Sequence, residues 1–260
     1  MKDYWITTET DERSFDEAAA RRIIEQLKRK PDSVVGLSTG RTTGNMHRRV
    51  VQLWREEPFA VDRATFFGVD EVVGVSPDYS GACYTMLKTQ IIGALGIDDE
   101  HFLMLPTESD DFPQACRLFT EALRQRGGID LLILGLGENG HLGFNQPGTP
   151  FESRAWVTDM NPELEQRIRC ETQTPAEKWL GGVTLGLADI YEARHIVLVA
   201  KGENKAAVVR QMLQGPVTPL LPASMLQNHP SCEFLLDRAA ASQLNWSEGV
   251  EELRSEGVKE

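Results

Sequence analysis

Short apolar segments of strand length alternate with segments of helical periodicity along most of this chain, and that alternation restricts its fold more than any other feature. The apolar segments are residues 33–37, 64–69, 129–134 and 195–200. Strands that alternate with helices pair in parallel through right-handed crossovers. Because these segments lack strict alternation of apolar and polar residues, both faces of the sheet are expected to be covered. The sequence therefore predicts an α/β fold with a doubly wound, mostly parallel sheet and helices on both faces.

Capping signals and apolar spacing predict the remaining elements. Ser14 and Glu17 have the spacing of a capping box, which predicts a helix that starts at Ser14. Further helices are predicted over residues 45–54, 83–95, 112–126 and 205–213, and further strands over residues 102–105 and 233–236. We expect residues 1–260 to form one α/β domain, with residues 246–260 as a surface tail.

The composition argues against several functional classes. The chain carries 27 Lys and Arg against 39 Asp and Glu, a net charge of −12, whereas proteins that bind nucleic acid present basic surfaces. No apolar run approaches the ~18 residues of a membrane helix, and the first residues lack the pattern of a signal peptide. The 4 cysteines form no CxxC pair, which argues against a zinc site and a disulfide framework. We expect a cytoplasmic protein with free thiols that binds neither nucleic acid nor membrane.

The loop at residues 38–44 is a candidate phosphate site. Ligands of parallel α/β folds bind at the carboxyl ends of the strands, so the loops after residues 37, 69, 134 and 200 are expected to share one crevice. Residues 38–44 combine hydroxyl side chains with two glycines between a strand and a helix. Glycine lets the N–H groups of a helix N-terminus approach an anion, although the spacing is neither that of a P-loop nor GxGxxG. Phosphate binding and an ordinary turn are both compatible with this loop.

Two adjacent acids, Asp70 and Glu71, end the apolar segment at residues 64–69. Neighbouring side chains on a strand point to opposite faces, so one acid is expected in the crevice and the other against another partner. A carboxyl group at the edge of an apolar strand can have a raised pKa, which suits a general base. A turn or helix-capping role is the alternative for Asp70.

Residues 135–148 form the most informative segment. Several glycines, Asn139, His141 and Gln146 follow the clearest strand. Glycine at this density indicates unusual backbone angles or close approach to a ligand, and His141 can transfer protons near neutral pH. Lys205, near the start of a later helix, has the charge to hold a phosphate. A solvated helix lysine is the alternative for Lys205.

These segments together resemble the glucosamine-6-phosphate deaminase family, within the wider group that includes 6-phosphogluconolactonase. The resemblance rests, in order along the chain, on residues 37–43, 67–74, 135–147, 153–154, 183–186 and 205. It implies a modified Rossmann-like fold and a reaction without metal or cofactor. It implies catalytic roles for Asp70, His141, Asn139 and Gln146. It also implies phosphate binding by Ser38, Thr39, Gly40, Arg41, Thr42 and Lys205, and substrate binding by Glu71 and Gly137.

The reaction that this resemblance implies acts on a 2-amino-2-deoxyhexose 6-phosphate. His141 is expected to open the sugar ring, and Asp70 to move a proton between C2 and C1. Hydrolysis of the resulting imine gives a ketose 6-phosphate and ammonia. These steps fit the residues, because ring opening needs a group that titrates near pH 7 and enolisation needs a carboxylate base.

Two positions depart from the family pattern, since Asn139 and Gln146 stand where the family has Asp and Glu. Loss of both charges is expected to lower the pKa of His141, although an amide can still orient an imidazole nitrogen. Asn139, together with residues 181–187 and 221–224, resembles the galactosamine-6-phosphate deaminase/isomerase branch. Galactosamine 6-phosphate is therefore expected slightly ahead of glucosamine 6-phosphate as the substrate.

Other details leave alternatives open. Arg41 replaces a small residue of the family's loop, and Arg167 and Arg169 are the candidates for the family's phosphate-binding arginine. A phosphosugar enzyme that no longer deaminates, such as a lactonase or an aldose–ketose isomerase, would also explain the two amides. A sugar-phosphate sensor without chemistry is a third hypothesis. A homo-oligomer is compatible with the sequence.

Overall fold

A parallel sheet of seven strands organises the structure, a computed structural model that describes residues 5–76 and 78–245. Every neighbouring pair in this sheet is parallel. In spatial order the strands are β1 (Trp5–Glu9), β10 (Cys232–Asp237), β9 (Ile196–Ala200), β6 (Leu131–Gly135), β2 (Val34–Leu37), β3 (Thr65–Gly68) and β5 (Phe102–Leu103).

A small antiparallel sheet stands beside the large one, with the strand order β4 (Asp70–Val73), β8 (Gly181–Thr184) and β7 (Trp156–Asp159). Asp70 therefore begins a strand, and the prediction that it ends the preceding strand is wrong. Only Val69 separates β3 from β4, and the chain changes sheets at that residue. The pairing places Asp70 opposite Thr184 of β8.

The helices predicted over residues 45–54, 83–95, 112–126 and 205–213 are present within about two residues at each end, whereas the helix over residues 162–172 was not predicted. Two short helices are continuous through a π-helical turn at Lys88–Ile92. They are α1 (Glu12–Arg29), α2 (Thr43–Glu56), α3 (Cys83–Leu87), α4 (Gly93–Leu95), α5 (Phe112–Gln125), α6 (Pro162–Thr172), α7 (Leu187–Tyr191) and α8 (Ala206–Gln214). Short 3₁₀ helices span Glu203–Lys205 and Pro222–Asn228.

The start of α1 differs from the prediction by one turn. Asp11 caps the helix by accepting hydrogen bonds from the N–H groups of Arg13 and Ser14, each at 3.0 Å. Ser14 completes the capping box from the third helical position by accepting from the N–H of Asp11 at 3.3 Å. A carboxylate satisfies two N–H groups at once, so Asp11 takes the cap in place of the Ser14 hydroxyl.

Alternate residues of each central strand enter two separate cores. Leu132 and Leu134 of β6 belong to a core covered by α5, α7 and α8. Leu131 and Ile133 belong to a core covered by α1, α2 and the helices over residues 83–95. Helices therefore cover both faces of the mostly parallel sheet, which confirms the predicted fold class.

The strand order fixes where a ligand site can form. From β2 the chain proceeds through β3 to β5 on one side, and it then returns to β6 on the other side of β2. The loops after β2 and β6 leave the sheet in opposite directions, and such a divergence opens a crevice at the carboxyl edge. In the described part of the chain, no helix combines the length and apolarity needed to cross a bilayer. The predicted tail at residues 246–260 lies outside the described residues, and the single-domain division stays a prediction.

Candidate active site

The loop after β2 presents an open helix N-terminus to the crevice. The N–H of Ser38 donates to the carbonyl of Ile133 in β6 at 3.1 Å, which fixes the loop at the divergence of the two strands. Gly40 has φ of 136°, a backbone angle that favours glycine. Among the residues that the structure describes, no side chain caps α2, and the first turn of α2 carries no acid. The free N–H groups and the helix dipole therefore favour an anion at this position.

Two cations, Arg41 and Lys205, lie near that helix end. Neither forms a salt bridge within residues 5–76 and 78–245. Burial lowers the pKa of Lys205, the nearby Arg41 lowers it further, and the Glu138 carboxylate opposes both effects. Two neighbouring cations that no carboxylate joins are stabilised when an anion binds between them. The predicted phosphate-binding residues thus lie together in one loop, and Lys205 lies beside them. The loop residues are Ser38, Thr39, Gly40, Arg41 and Thr42.

Asp70 is part-buried at the point where the chain leaves the large sheet. Its Oδ1 accepts a hydrogen bond from the Cys83 thiol at 3.6 Å. Burial raises the pKa of Asp70 to about 7, the neighbouring Glu71 adds to the rise, and the thiol bond opposes it. A carboxyl group that titrates near neutrality can accept and return a proton at working pH.

Glu71 points away from Asp70 and holds α3 in place. Its carboxylate accepts from three backbone N–H groups, those of Val72 at 2.7 Å, Cys83 at 2.8 Å and Tyr84 at 2.6 Å. Only 3 % of Glu71 is exposed, and burial raises its pKa against the opposing effect of these bonds. These contacts give Glu71 a structural role, and the substrate-binding role expected from the sequence stays a prediction.

His141 is oriented by a chain of amides. Its Nδ1 lies 2.7 Å from Oδ1 of Asn139, which also accepts from the backbone N–H of His141 at 3.2 Å. The amide nitrogen of Asn139 donates to Oε1 of Gln146 at 3.0 Å. Since Asn139 Oδ1 is an acceptor, this network assigns the proton to Nδ1 and leaves the lone pair on Nε2. Burial lowers the pKa of His141, and the charge of Lys205 lowers it further.

Two glycines make this arrangement sterically possible. A Cβ atom on Gly137 would lie 2.2 Å from Nδ1 of His141, so only glycine leaves room for the ring. A Cβ atom on Gly143 would lie 2.5 Å from Oγ1 of Thr184 and 3.5 Å from Oδ2 of Asp70. Gly143 follows His141 by two residues, so Asp70 packs against the segment that carries His141. The substrate contact expected for Gly137 stays a prediction.

Comparison with known proteins identifies the family of this chain. The family of glucosamine-6-phosphate isomerases/6-phosphogluconolactonase matches residues 9–234. The chain belongs to this family. A glucosamine-6-phosphate deaminase of Rhodopirellula baltica is 38 % identical over 235 residues, which are 90 % of this chain and 94 % of that protein. A glucosamine-6-phosphate deaminase of Cellvibrio japonicus is 34 % identical over 237 residues, which are 91 % of this chain and 90 % of that protein.

Solved structures of the glucosamine-6-phosphate isomerase/6-phosphogluconolactonase family share the fold. A monomeric glucosamine-6-phosphate deaminase has a TM-score of 0.85 at 29 % identity, over 92 % of this chain and all 100 % of that one. A 6-phosphogluconolactonase of Trypanosoma brucei has a TM-score of 0.74 at 20 % identity, over 94 % of this chain and 100 % of that one. The second likeness concerns the fold alone.

Two residues of this family member's crevice were not predicted as site residues. Cys83 bonds to Asp70, and Thr184 contacts the Gly143 position from β8. Cys83 lies in no motif. Thr184 lies in the segment 183–186 that resembles the family, but no role was predicted for it, because its contact forms only when separate strands and loops meet. Within the described ranges, no three His, Cys, Asp or Glu side chains lie close enough together to hold a metal ion.

The two candidate phosphate-binding arginines lie on α6. Arg169 is committed to its own surroundings, since it bonds to Glu165 and to the carbonyls of Pro175 and Lys178. Arg167 is exposed and lies 3.8 Å from Glu171. Arg167 is therefore the less constrained of the two.

Proposed function

We propose that this chain is an amino-sugar-6-phosphate deaminase that acts on glucosamine 6-phosphate. The observation that carries the proposal is Asp70, a carboxyl group with a pKa raised to about 7 that packs against the glycine-rich segment of His141. The anion site formed by α2, Arg41 and Lys205 opens into the same crevice. A phosphorylated sugar held at that site offers its carbonyl end to both groups.

His141 opens the ring in this proposal. With its proton on Nδ1 held by Asn139, the Nε2 lone pair takes the proton of the C1 hydroxyl. The same proton then passes to the ring oxygen, and the C1–O5 bond breaks to give the open-chain aldehyde. The lowered pKa of His141 keeps the imidazole neutral at the start of this step.

Asp70 carries out the isomerisation. Its carboxylate removes the proton from C2, which gives an enolamine, and returns a proton to C1. The product is an imine at C2, and water hydrolyses it to the ketose 6-phosphate and ammonia. A base with a pKa of about 7 suits this task because it is ionised in slightly alkaline solution and gives its proton back readily.

The amides at Asn139 and Gln146 change the charge around His141 but keep its hydrogen-bond network. Both side chains remain in one hydrogen-bond chain with the imidazole. An amide pair orients the ring but supplies no negative charge to stabilise an imidazolium. We infer that His141 passes its proton on within the step rather than storing it.

The proposal also concerns which amino sugar the protein accepts, glucosamine 6-phosphate or galactosamine 6-phosphate. The relatives at 38 % and 34 % identity are named for glucosamine 6-phosphate. The similarity of Asn139 to the galactosamine branch favours the other sugar and has no support from these relatives. We therefore place glucosamine 6-phosphate first and test galactosamine 6-phosphate beside it. The cytoplasmic location and any homo-oligomer stay predictions.

Ammonia release by the purified protein tests the proposal. Each amino-sugar 6-phosphate is supplied separately, and ammonia and ketose 6-phosphate are measured in parallel. Asp70→Asn and His141→Ala should lose the activity, whereas the exposed Asp62→Asn should keep it. The absence of ammonia from both sugars would defeat the proposal. Hydrolysis of 6-phosphogluconolactone or isomerisation of plain hexose phosphates would then identify the alternative enzyme, and ligand-induced stabilisation without turnover would identify a sensor.

A further inference from the structure

Cys83 occupies a position between two parts of the crevice that the proposed reaction uses separately. It is the first residue of α3 and is 6 % exposed. Its backbone N–H is held by Glu71, which fixes the residue against β4. Its thiol lies between Thr39 of the loop after β2 and Asp70 at the start of β4.

The hydrogen bonds of the thiol run in one direction. The hydroxyl of Thr39 donates to Sγ of Cys83 at 3.1 Å. The thiol in turn donates to Oδ1 of Asp70 at 3.6 Å. Because the sulfur carries a single proton, donation by Thr39 directs that proton toward the carboxylate. Hydrogen bonds aligned in this way strengthen one another.

We propose that Cys83 is a positioning residue, whose thiol joins Thr39 of the phosphate loop to the Asp70 carboxylate and holds both in register. The inference rests on the proposed function, since it assigns Asp70 the role of base. The thiol donates its hydrogen bond to Oδ1 of Asp70, while Oδ2 of Asp70 lies on the side of Gly143 and the segment that carries His141. One oxygen is thus fixed by the protein and the other is kept for the sugar.

The thiol also sets the basicity of Asp70. In the described part of the chain, the titratable groups that face this carboxyl group are Glu71 from its own strand and Cys83 from α3. Thr184 from β8 and Gly143 from the loop after β6 bring no charge. Glu71 disfavours the ionised form, and the thiol proton favours it. When a phosphate draws the Thr39 hydroxyl away, the thiol becomes a weaker donor and Asp70 a stronger base.

The pH dependence of kcat/KM tests this role in Cys83→Ala and Cys83→Ser. Alanine removes the donor, so the acid limb should move up by roughly 0.5 pH unit, the value of one weak hydrogen bond. The value of kcat should fall about threefold while KM changes little. Serine restores a donor and an acceptor, so its acid limb should stay at the wild-type position. Cys116→Ala removes a thiol buried in the core beneath α5 and should leave the limb unmoved.

Thr39→Val tests the bridge itself. In the wild-type background it should move the acid limb in the same direction as Cys83→Ala. In the Cys83→Ala background it should move it no further, because the two residues act through one chain. An unmoved limb in Cys83→Ala, an equal shift in alanine and serine variants, or additive shifts with Thr39→Val would each overturn the proposal.

A direct titration separates this proposal from the proposed function. Carboxyl ¹³C signals of labelled aspartate report the ionisation of Asp70 without turnover, and Asp70→Asn assigns the signal. The Asp70 titration should move upward in Cys83→Ala and stay in place in Cys83→Ser. If wild-type protein releases no ammonia but this shift occurs, the deaminase assignment fails and the thiol bridge stands. If ammonia is released and the titration does not move, the bridge is overturned alone.

Discussion

Replacing Asp70 by asparagine should stabilise the folded protein most at alkaline pH while it removes turnover. The folded protein holds the pKa of this carboxyl group at about 7, against an ordinary value of 3.8. A raised carboxyl pKa makes the folded state less stable as pH rises from the ordinary value toward the folded one, because the unfolded chain ionises first. Asparagine does not titrate. The pH dependence of the difference in unfolding free energy between the two proteins therefore reports the cost of ionising Asp70 in the folded state.

The magnitude follows from the two pKa values. One pKa unit corresponds to about 1.4 kcal/mol, so the full shift of roughly three units costs about 4 kcal/mol above pH 7. At pH 5 the folded carboxyl group is still protonated, and the cost is only about 1.7 kcal/mol. The stability advantage of Asp70→Asn should therefore grow by about 2.5 kcal/mol between pH 5 and pH 8.

Urea denaturation of both proteins at several pH values measures this gap. Equal m-values would show that the denatured states are comparable. Asp62→Asn changes an exposed aspartate and serves as the control for loss of one negative charge. A gap that stays constant between pH 5 and pH 8 would refute the raised pKa of Asp70, and with it the reasoning that makes this residue a base at neutral pH.

Three further substitutions test other parts of the crevice, and a fourth, Gly148→Ala, serves as a control. Gln146→Glu should raise the pKa of His141 by about one unit through its added charge, and an unchanged NMR titration of the imidazole would contradict this. Gly143→Ala, at φ of 57°, should cost about 1–3 kcal/mol of stability and most of kcat/KM. Gly148→Ala, at φ of 94° with no described atom within 4 Å of the added Cβ, should show the strain alone, with activity kept. Lys205→Ala should raise KM about tenfold with a smaller effect on kcat, and the reverse pattern in initial rates would contradict a phosphate contact.

The large sheet and the place of the crevice could be predicted because both depend on local patterns. Apolar segments that lack alternation identify buried parallel strands, and the loops that follow them must meet at one edge. Alternation along a strand also indicated that Asp70 and Glu71 face different partners. The identity of the Glu71 partners could not be predicted, because they are backbone N–H groups of residues 72, 83 and 84, which leave no pattern in the sequence.

The antiparallel sheet was harder to predict for a physical reason. Strand β7 is largely exposed, and its four residues show no buried periodicity. Strand β4 continues the chain directly after β3, so the two appear in the sequence as one apolar segment. The change of sheet at Val69 is a tertiary event, set by the pairing of β4 with β8 more than 100 residues later. Cys83 was missed for the same reason, since its partners come from two other elements.

The directions of the pKa shifts of Asp70 and His141 suit the proposed reaction, which begins with proton removal. Burial raises the pKa of Asp70 to about 7 and lowers that of His141. Above pH 7 the free protein therefore holds a carboxylate and a neutral imidazole, both ready to accept a proton. Carboxylates in place of Asn139 and Gln146 would favour the imidazolium and delay this state to higher pH. The proposed reaction needs a neutral His141 when the sugar arrives, which the two amides favour, and its acid limb should follow the titration of Asp70.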